Sequence, residues 1–114
     1  MIRGGAVVLN VSDVERAKRF YIETLGMKLV GEHAGGPSVI DAGEGFCIAL
    51  REGDVPGAMP GPAVLLYPKV PIDEAIAILA NRGVAFEVDR SGDTEVVARF
   101  RDPDANVLAL VQPK

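Results

Sequence analysis

Residues 52–62, Glu-Gly-Asp-Val-Pro-Gly-Ala-Met-Pro-Gly-Pro, carry three prolines and three glycines. Fixed φ angles and missing N–H donors at Pro, with the backbone freedom of Gly, exclude helix and strand there. Regular structure must therefore form separately on either side. Ahead of this segment, residues 6–11 (Ala-Val-Val-Leu-Asn-Val) read as a strand that runs into Ser12-Asp13-Val14-Glu15. A Ser followed three residues later by Glu predicts a capping box on Ser12. Val14, Ala17, Phe20, Tyr21 and Leu25 then recur at three- and four-residue spacing up to Gly26, which predicts one amphipathic helix closed by a left-handed glycine cap. Strands are expected at 27–32, 38–41 and 45–51, separated by glycine-rich turns at 34–37 and 42–45.

The same order returns after the break. A strand is expected at 63–67, a helix at 72–82 with Ile72, Ala75, Ile76 and Leu79 on one stripe and Gly83 as its cap, and strands at 84–88, 96–100 and 107–111. Displaced by 58 positions, Val14, Ala17, Phe20 and Tyr21 fall on Ile72, Ala75, Ile78 and Leu79, and Gly26 pairs with Gly83, one position short of that displacement. Internal repetition of this kind predicts a duplicated unit. The expected architecture is α+β, two tandem βαβββ modules (about 1–52 and 63–114) joined by a linker at 53–62. Together they would make one domain, 1–114, whose curved mixed sheet surrounds a cleft.

Composition narrows the function. A chain of 114 residues that is 48% apolar has the size of one domain with one core. The formal charge of −4, with no Lys/Arg run longer than two, argues against nucleic acid or an anionic membrane as partner. No stretch approaches the roughly 20 apolar residues needed to span a bilayer. Cys47 is the only cysteine and Met1-Ile-Arg-Gly-Gly lacks the apolar run of a signal peptide, so a soluble cytoplasmic protein is expected.

Alternation along strands assigns faces. Val7, Leu9 and Val11, with Phe46, Ile48 and Leu50, are expected under the first helix. Ala6, Val8, Asn10, Cys47, Ala49 and Arg51 then face the open side. In the second half Leu65, Tyr67, Val84, Phe86, Val88, Leu108 and Leu110 are expected under the helix, and Val64, Leu66, Glu87, Asp89, Val107, Ala109 and Val111 on the open side. Such a lining suits a small organic ligand; the competing reading makes this face the core of a dimer. Glu87 and Asp89, two apart on one strand, are either an acid–base pair or ordinary solvated carboxylates. His33, Cys47, Glu44 and Glu32 show no repeated ligand spacing, and Cys47 has no activating neighbour in its strand.

The phrases Asn10-Val-Ser-Asp-Val-Glu-Arg-Ala17, Phe20-Tyr21, Leu25-Gly26-Met27 and Phe100-Arg-Asp-Pro-Asp-Ala-Asn-Val-Leu-Ala-Leu-Val-Gln112 resemble the vicinal oxygen chelate superfamily across the whole chain. That superfamily includes glyoxalase I, extradiol dioxygenases, fosfomycin-modifying enzymes, methylmalonyl-CoA epimerase and bleomycin-resistance proteins. One departure is Ala105, where the family usually places Gly at a positive φ. The resemblance implies a divalent metal held by His or Gln of the first strand and Glu of the last strand of each module. Carried over, these positions are Ala6, Ala49, Val64 and Ala109, none of which has a lone pair to donate. The resemblance to the metal-deficient branch thus implies a cofactor-free protein that binds or sequesters a small organic molecule, paired as a homodimer and able to exchange modules across its linker. The other reading it allows is a glyoxalase-like lyase, isomerase or dioxygenase acting at the same cleft. With no Trp and few aromatics, the expected ligand is aliphatic or small.

Overall fold

Strand β1 (Gly5–Val11) passes directly into helix α1 (Val14–Arg19) because Asp13 is extended, at φ −143° and ψ 105°, and turns its carboxylate back on the helix. Asp13 Oδ1 accepts from the Arg16 N–H at 3.2 Å, so the cap is Asp13 and not the expected Ser12. The helix starts one residue later than the capping-box reading placed it, and a carboxylate there also faces the positive end of the helix dipole. Ser12 instead accepts from Arg16 Nη2 at 3.0 Å. The last turns widen into a π-helix, Phe20–Thr24, with the Leu25 N–H bonded to the Phe20 carbonyl. Gly26, at φ 79°, then closes the helix as expected.

The computed structural model describes residues 1, 5–32, 37–54 and 64–114. The expected turn at 34–37, apart from Pro37, therefore lies outside the described residues, as do His33 and most of the expected linker. By its contacts the chain divides into two units, Met1–Gly57 and Ala58–Lys114. In the first, β2 (Lys28–Glu32), β3 (Ser38–Gly43) and β4 (Phe46–Glu52) join β1 in the order β1-β4-β3-β2. β1 runs parallel to β4 and the other pairs are antiparallel. Leu9, Val11, Ile40, Ile48 and Leu50 are buried together with Ala17 and Tyr21 of the helical segment. Phe46, expected under the helix, is 41% exposed. It begins its strand beside Gly5 and Gly43, which have no side chains to pack against it.

The second unit repeats the plan. β5 (Val64–Leu66), α2 (Ile72–Asn81), β6 (Glu87–Asp89), β7 (Glu95–Arg101) and β8 (Val107–Pro113) form a sheet ordered β5-β8-β7-β6, again with its first and last strands parallel. Both units are α+β with a four-stranded mixed sheet. Ile72 and Ala75 are buried, matching Val14 and Ala17 in register, whereas Ile78 is 42% exposed and falls off the stripe. The strand expected from 84 starts only at Glu87, because the Val84 N–H is used by the helix cap, bonding the Leu79 carbonyl at 3.1 Å. Among the described residues no helix is long and apolar enough to cross a membrane.

A side chain from the last strand serves the start of each helix. Pro71, the N-cap of α2, has no capping side chain; Gln112 Oε1 accepts from the Ile72 N–H at 2.9 Å and Gln112 Nε2 donates to the Val70 carbonyl at 3.4 Å. Glu52 occupies the same place in the first unit, accepting from the Val14 N–H at 3.5 Å. Before β8, Asp102 Oδ1 accepts from the N–H groups of Asp104 and Asn106 at 2.9 and 2.8 Å, and its Oδ2 from Asn106 Nδ2 at 2.9 Å. This holds Ala105 at φ 66°, so the left-handed geometry is kept although a methyl replaces the usual hydrogen.

Two stability changes are expected in equilibrium unfolding. Gln112→Ala, which strips α2 of its cap, lowers stability by about 1–2 kcal/mol. Ala105→Gly raises it by about 0.5–1 kcal/mol, relief of left-handed strain being partly offset by a freer unfolded chain.

Candidate functional site

Strand register places side chains in rows across each sheet. On the first sheet one row runs Ala6, Cys47, Asp41, Lys28, and the next runs Val8, Ala49, Val39, Gly31; Asn10 and Arg51 pair beyond them. These rows lie on the face opposite the buried Leu9, Leu50, Ile48 and Ile40. All six residues expected there from the first module (Ala6, Val8, Asn10, Cys47, Ala49 and Arg51) do share that face. Ala6 and Arg51 are exposed and Val8 is 51% exposed, while Ala49, in the centre of its row, is only 5% exposed. Sequence reasoning missed Lys28, Val39 and Asp41. The alternation of Val39 and Asp41 about the apolar Ile40 was the signal that could have found the last two.

Arg51 is fixed along one edge of its fork. Its Nε and Nη2 both donate to Asn10 Oδ1, at 3.1 and 3.0 Å, and Asn10 Nδ2 donates to the Asp54 carbonyl at 3.2 Å. The cation is therefore oriented by a neutral amide on the neighbouring strand. At the other end of the face Asp41 Oδ1 accepts from the Gly43 N–H at 2.7 Å. The half-buried Cys47 thiol makes a weak contact with the Gly45 carbonyl at 3.7 Å.

On the second sheet the open face carries Leu65, Ala109, Arg99 and Glu87 in one row and Val111, Val97 and Asp89 in the next, with Val107 opposite Arg101. Glu87, Asp89, Val107 and Ala109 have the expected parity, but Val107, Ala109 and Val111 are buried, at 5%, 0% and 4% exposure, and do not lie open. Val64 and Leu66 are not: they pair with Leu108 and Leu110 on the helix side, where Val64 is 3% exposed, and Leu65 turns outward at 47% exposure. Counting back from the helix misleads here. β1 ends two residues before its helix, but residues 67–71 (Tyr-Pro-Lys-Val-Pro) separate β5 from α2, which reverses the strand parity.

Glu87 and Asp89 are occupied separately. Glu87 stands opposite Arg99 in register. Asp89 Oδ1 accepts from Ser91 Oγ at 2.6 Å and from the Ser91 N–H at 2.9 Å. These bonds hold the Asp89 carboxyl below the ordinary aspartate range, with Arg99 and Lys114 adding to the effect. A depressed carboxyl is a poor proton donor or acceptor near neutrality.

The donor set expected by resemblance does not fit a divalent metal at Ala6, Ala49 or Ala109, since a methyl group has no lone pair. Among the described residues no group of three or more His, Cys, Asp or Glu side chains could hold one. Of the other carboxylates weighed as ligands, Glu32 accepts from Lys18 Nζ and from Ser38 Oγ, and Glu44 stands exposed in the β3–β4 turn at φ 50°.

The model of the Glyoxalase/Bleomycin resistance protein/Dioxygenase superfamily matches residues 4–110. Among solved structures, TnmS3, an antibiotic binding protein from Streptomyces sp. CB03234, is 31% identical with a TM-score of 0.82, over 100% of this chain and 98% of its own. A glyoxalase/bleomycin resistance protein from the same organism is 30% identical with a TM-score of 0.75, over 96% of this chain and 100% of its own. A member of the superfamily from Sphaerobacter thermophilus DSM 20745 is 26% identical with a TM-score of 0.81, over 97% of each chain. No curated protein sequence matches the chain.

The Asp89 assignment is checked by carboxyl-carbon NMR titration. Asp89 should titrate below the ordinary aspartate range, and in Ser91→Ala, which loses the stronger of the two bonds, its midpoint should rise. The sign for stability follows: the contribution is present at neutral pH and is lost as pH falls through the depressed Asp89 value.

Proposed function

Because the chain belongs to the Glyoxalase/Bleomycin resistance protein/Dioxygenase superfamily, we propose that it is a metal-independent protein that binds or sequesters a small organic molecule on the open faces of its sheets. The observation that carries this reading is the row chemistry: Ala6, Ala49 and Ala109 stand on the sheet faces away from the helices with methyl groups in place of metal-ligating side chains, Ala49 and Ala109 being buried there. The lyase, isomerase and dioxygenase chemistry implied by resemblance requires a Lewis acid to polarise its substrate, and these positions supply no ligand for one. Binding requires less. The exposed Val8 gains from covering by hydrocarbon at roughly 25 cal/mol per Å² of apolar surface removed from water. The similarity to TnmS3, an antibiotic binding protein, supports a binding role.

In this reading residues 1–52 and 63–114 are the two halves of a single domain, and the protein works in the cytoplasm as a homodimer. The lone Cys47, which has no intramolecular disulfide partner, suits a reducing compartment.

Native mass spectrometry of protein purified without chelator, with elemental analysis of the same sample, tests the proposal. The expected result is a metal-free dimer retaining a small organic adduct. A stoichiometric divalent metal would overturn metal independence, and a protein without any retained or exchangeable ligand would overturn the binding role.

A further inference from the structure

The first sheet's open face is chemically polarised along its strands. At one end stands the exposed Arg51 guanidinium, whose hydrogen-bonding partner is the uncharged amide of Asn10. The ion pairs of Lys18 with Glu15 and Glu32 and of Arg90 with Asp73 do not involve Arg51. In a chain of net charge −4 with sixteen carboxylate side chains, a cation tethered by a neutral group is left with charge to satisfy. Two residues along the strands, about 7 Å away, comes the apolar row of Val8, Ala49 and Val39. One row further lie Ala6, Cys47, Asp41 and Lys28, where the Asp41 carboxylate is held by the Gly43 N–H and stands opposite Lys28 in register. A molecule with one anionic end is therefore attracted at Arg51 and accommodated over Val8, Ala49 and Val39, while in the far row Asp41 and Lys28 offset one another in charge.

We propose that this face takes an aliphatic carboxylate, with its carboxylate on Arg51 and its hydrocarbon over Val8, Ala49 and Val39. The proposal rests on the small-molecule binding reading and names its ligand class. Nε and part of Nη2 serve Asn10, so the remaining N–H groups of the fork are those that meet the ligand. The Asn10 amide, itself anchored on the Asp54 carbonyl, orients the fork before the ligand arrives.

The test titrates the isotope-labelled full chain with octanoate, 1-octanol and octylamine, following backbone amide shifts. Octanoate is expected to bind about tenfold more tightly than octanol, the gain of a charge-assisted contact, and octylamine more weakly than either. Shifts should centre on Val8, Val39, Ala49 and Arg51. Arg51→Met should bring octanoate down to the octanol level, and in the unsubstituted protein rising salt should shrink the octanoate preference. Equal affinity for octanoate and octanol, or a preference that survives Arg51→Met or high salt, would overturn the carboxylate assignment while octanol binding upheld the binding reading. Binding of none of the three probes overturns this proposal, and the retained adduct in native spectra then decides the binding reading independently.

Discussion

In each unit the first strand hydrogen-bonds in parallel to the last, β1 to β4 and β5 to β8, and this pairing governs the rest of the structure. Parallel neighbours cannot be joined by a tight turn, so the chain between them must cross one face of the sheet. The helix lies on that crossing, and the face it covers becomes the core: Leu9, Ile48 and Leu50 in the first unit, Leu108, Leu110 and Phe100 in the second. The opposite face carries the residues of the other parity, of which Ala49, Val107, Ala109 and Val111 are also buried.

The crossing is anchored at its point of departure. Glu52 and Gln112 each lie three residues beyond an open-face alanine, Ala49 or Ala109, and each accepts from the first N–H of its unit's helix. A residue of one parity caps the helix while its neighbours of the other parity line the open face, so the cap and the open-face rows share one strand register. A slip of one residue would lose the cap and exchange the faces together. Asp102 plays a comparable part ahead of β8, where three accepted bonds bring the chain into the strand although Ala105 must hold a left-handed backbone to do so.

Functional character resides in the residues that this scaffold leaves unburied or unpaired by charge. Ala6, Ala49 and Ala109 offer methyl groups with no lone pair, and the strand-end Arg51 is oriented by Asn10. Of Glu87 and Asp89, which the sequence offered either as an acid–base pair or as solvated carboxylates, Asp89 is held by Ser91 and Glu87 stands opposite Arg99 in register. One face therefore sets an apolar row beside the tethered Arg51, with Asp41 and Lys28 beyond it, and on the other Asp89 is committed to its Ser91 contacts.

Repetition and periodicity made most of the architecture legible in advance. The Pro/Gly break, the three- and four-residue apolar spacing ended by Gly26 and Gly83, and the alternation in β1, β4 and β8 are local properties, which the chain expresses before any tertiary contact forms. The open-face residues of the first module were readable for the same reason, because β1 runs unbroken to its helix. Tertiary structure decided what depends on partners distant in sequence. The parity of Val64 and Leu66 follows from pairing with Leu108 and Leu110, not from distance to the helix. The π turn after Arg19, the cap supplied by Gln112 and the Asn10–Arg51 pair, 41 residues apart, likewise join groups whose separation along the chain says nothing of their contact in space.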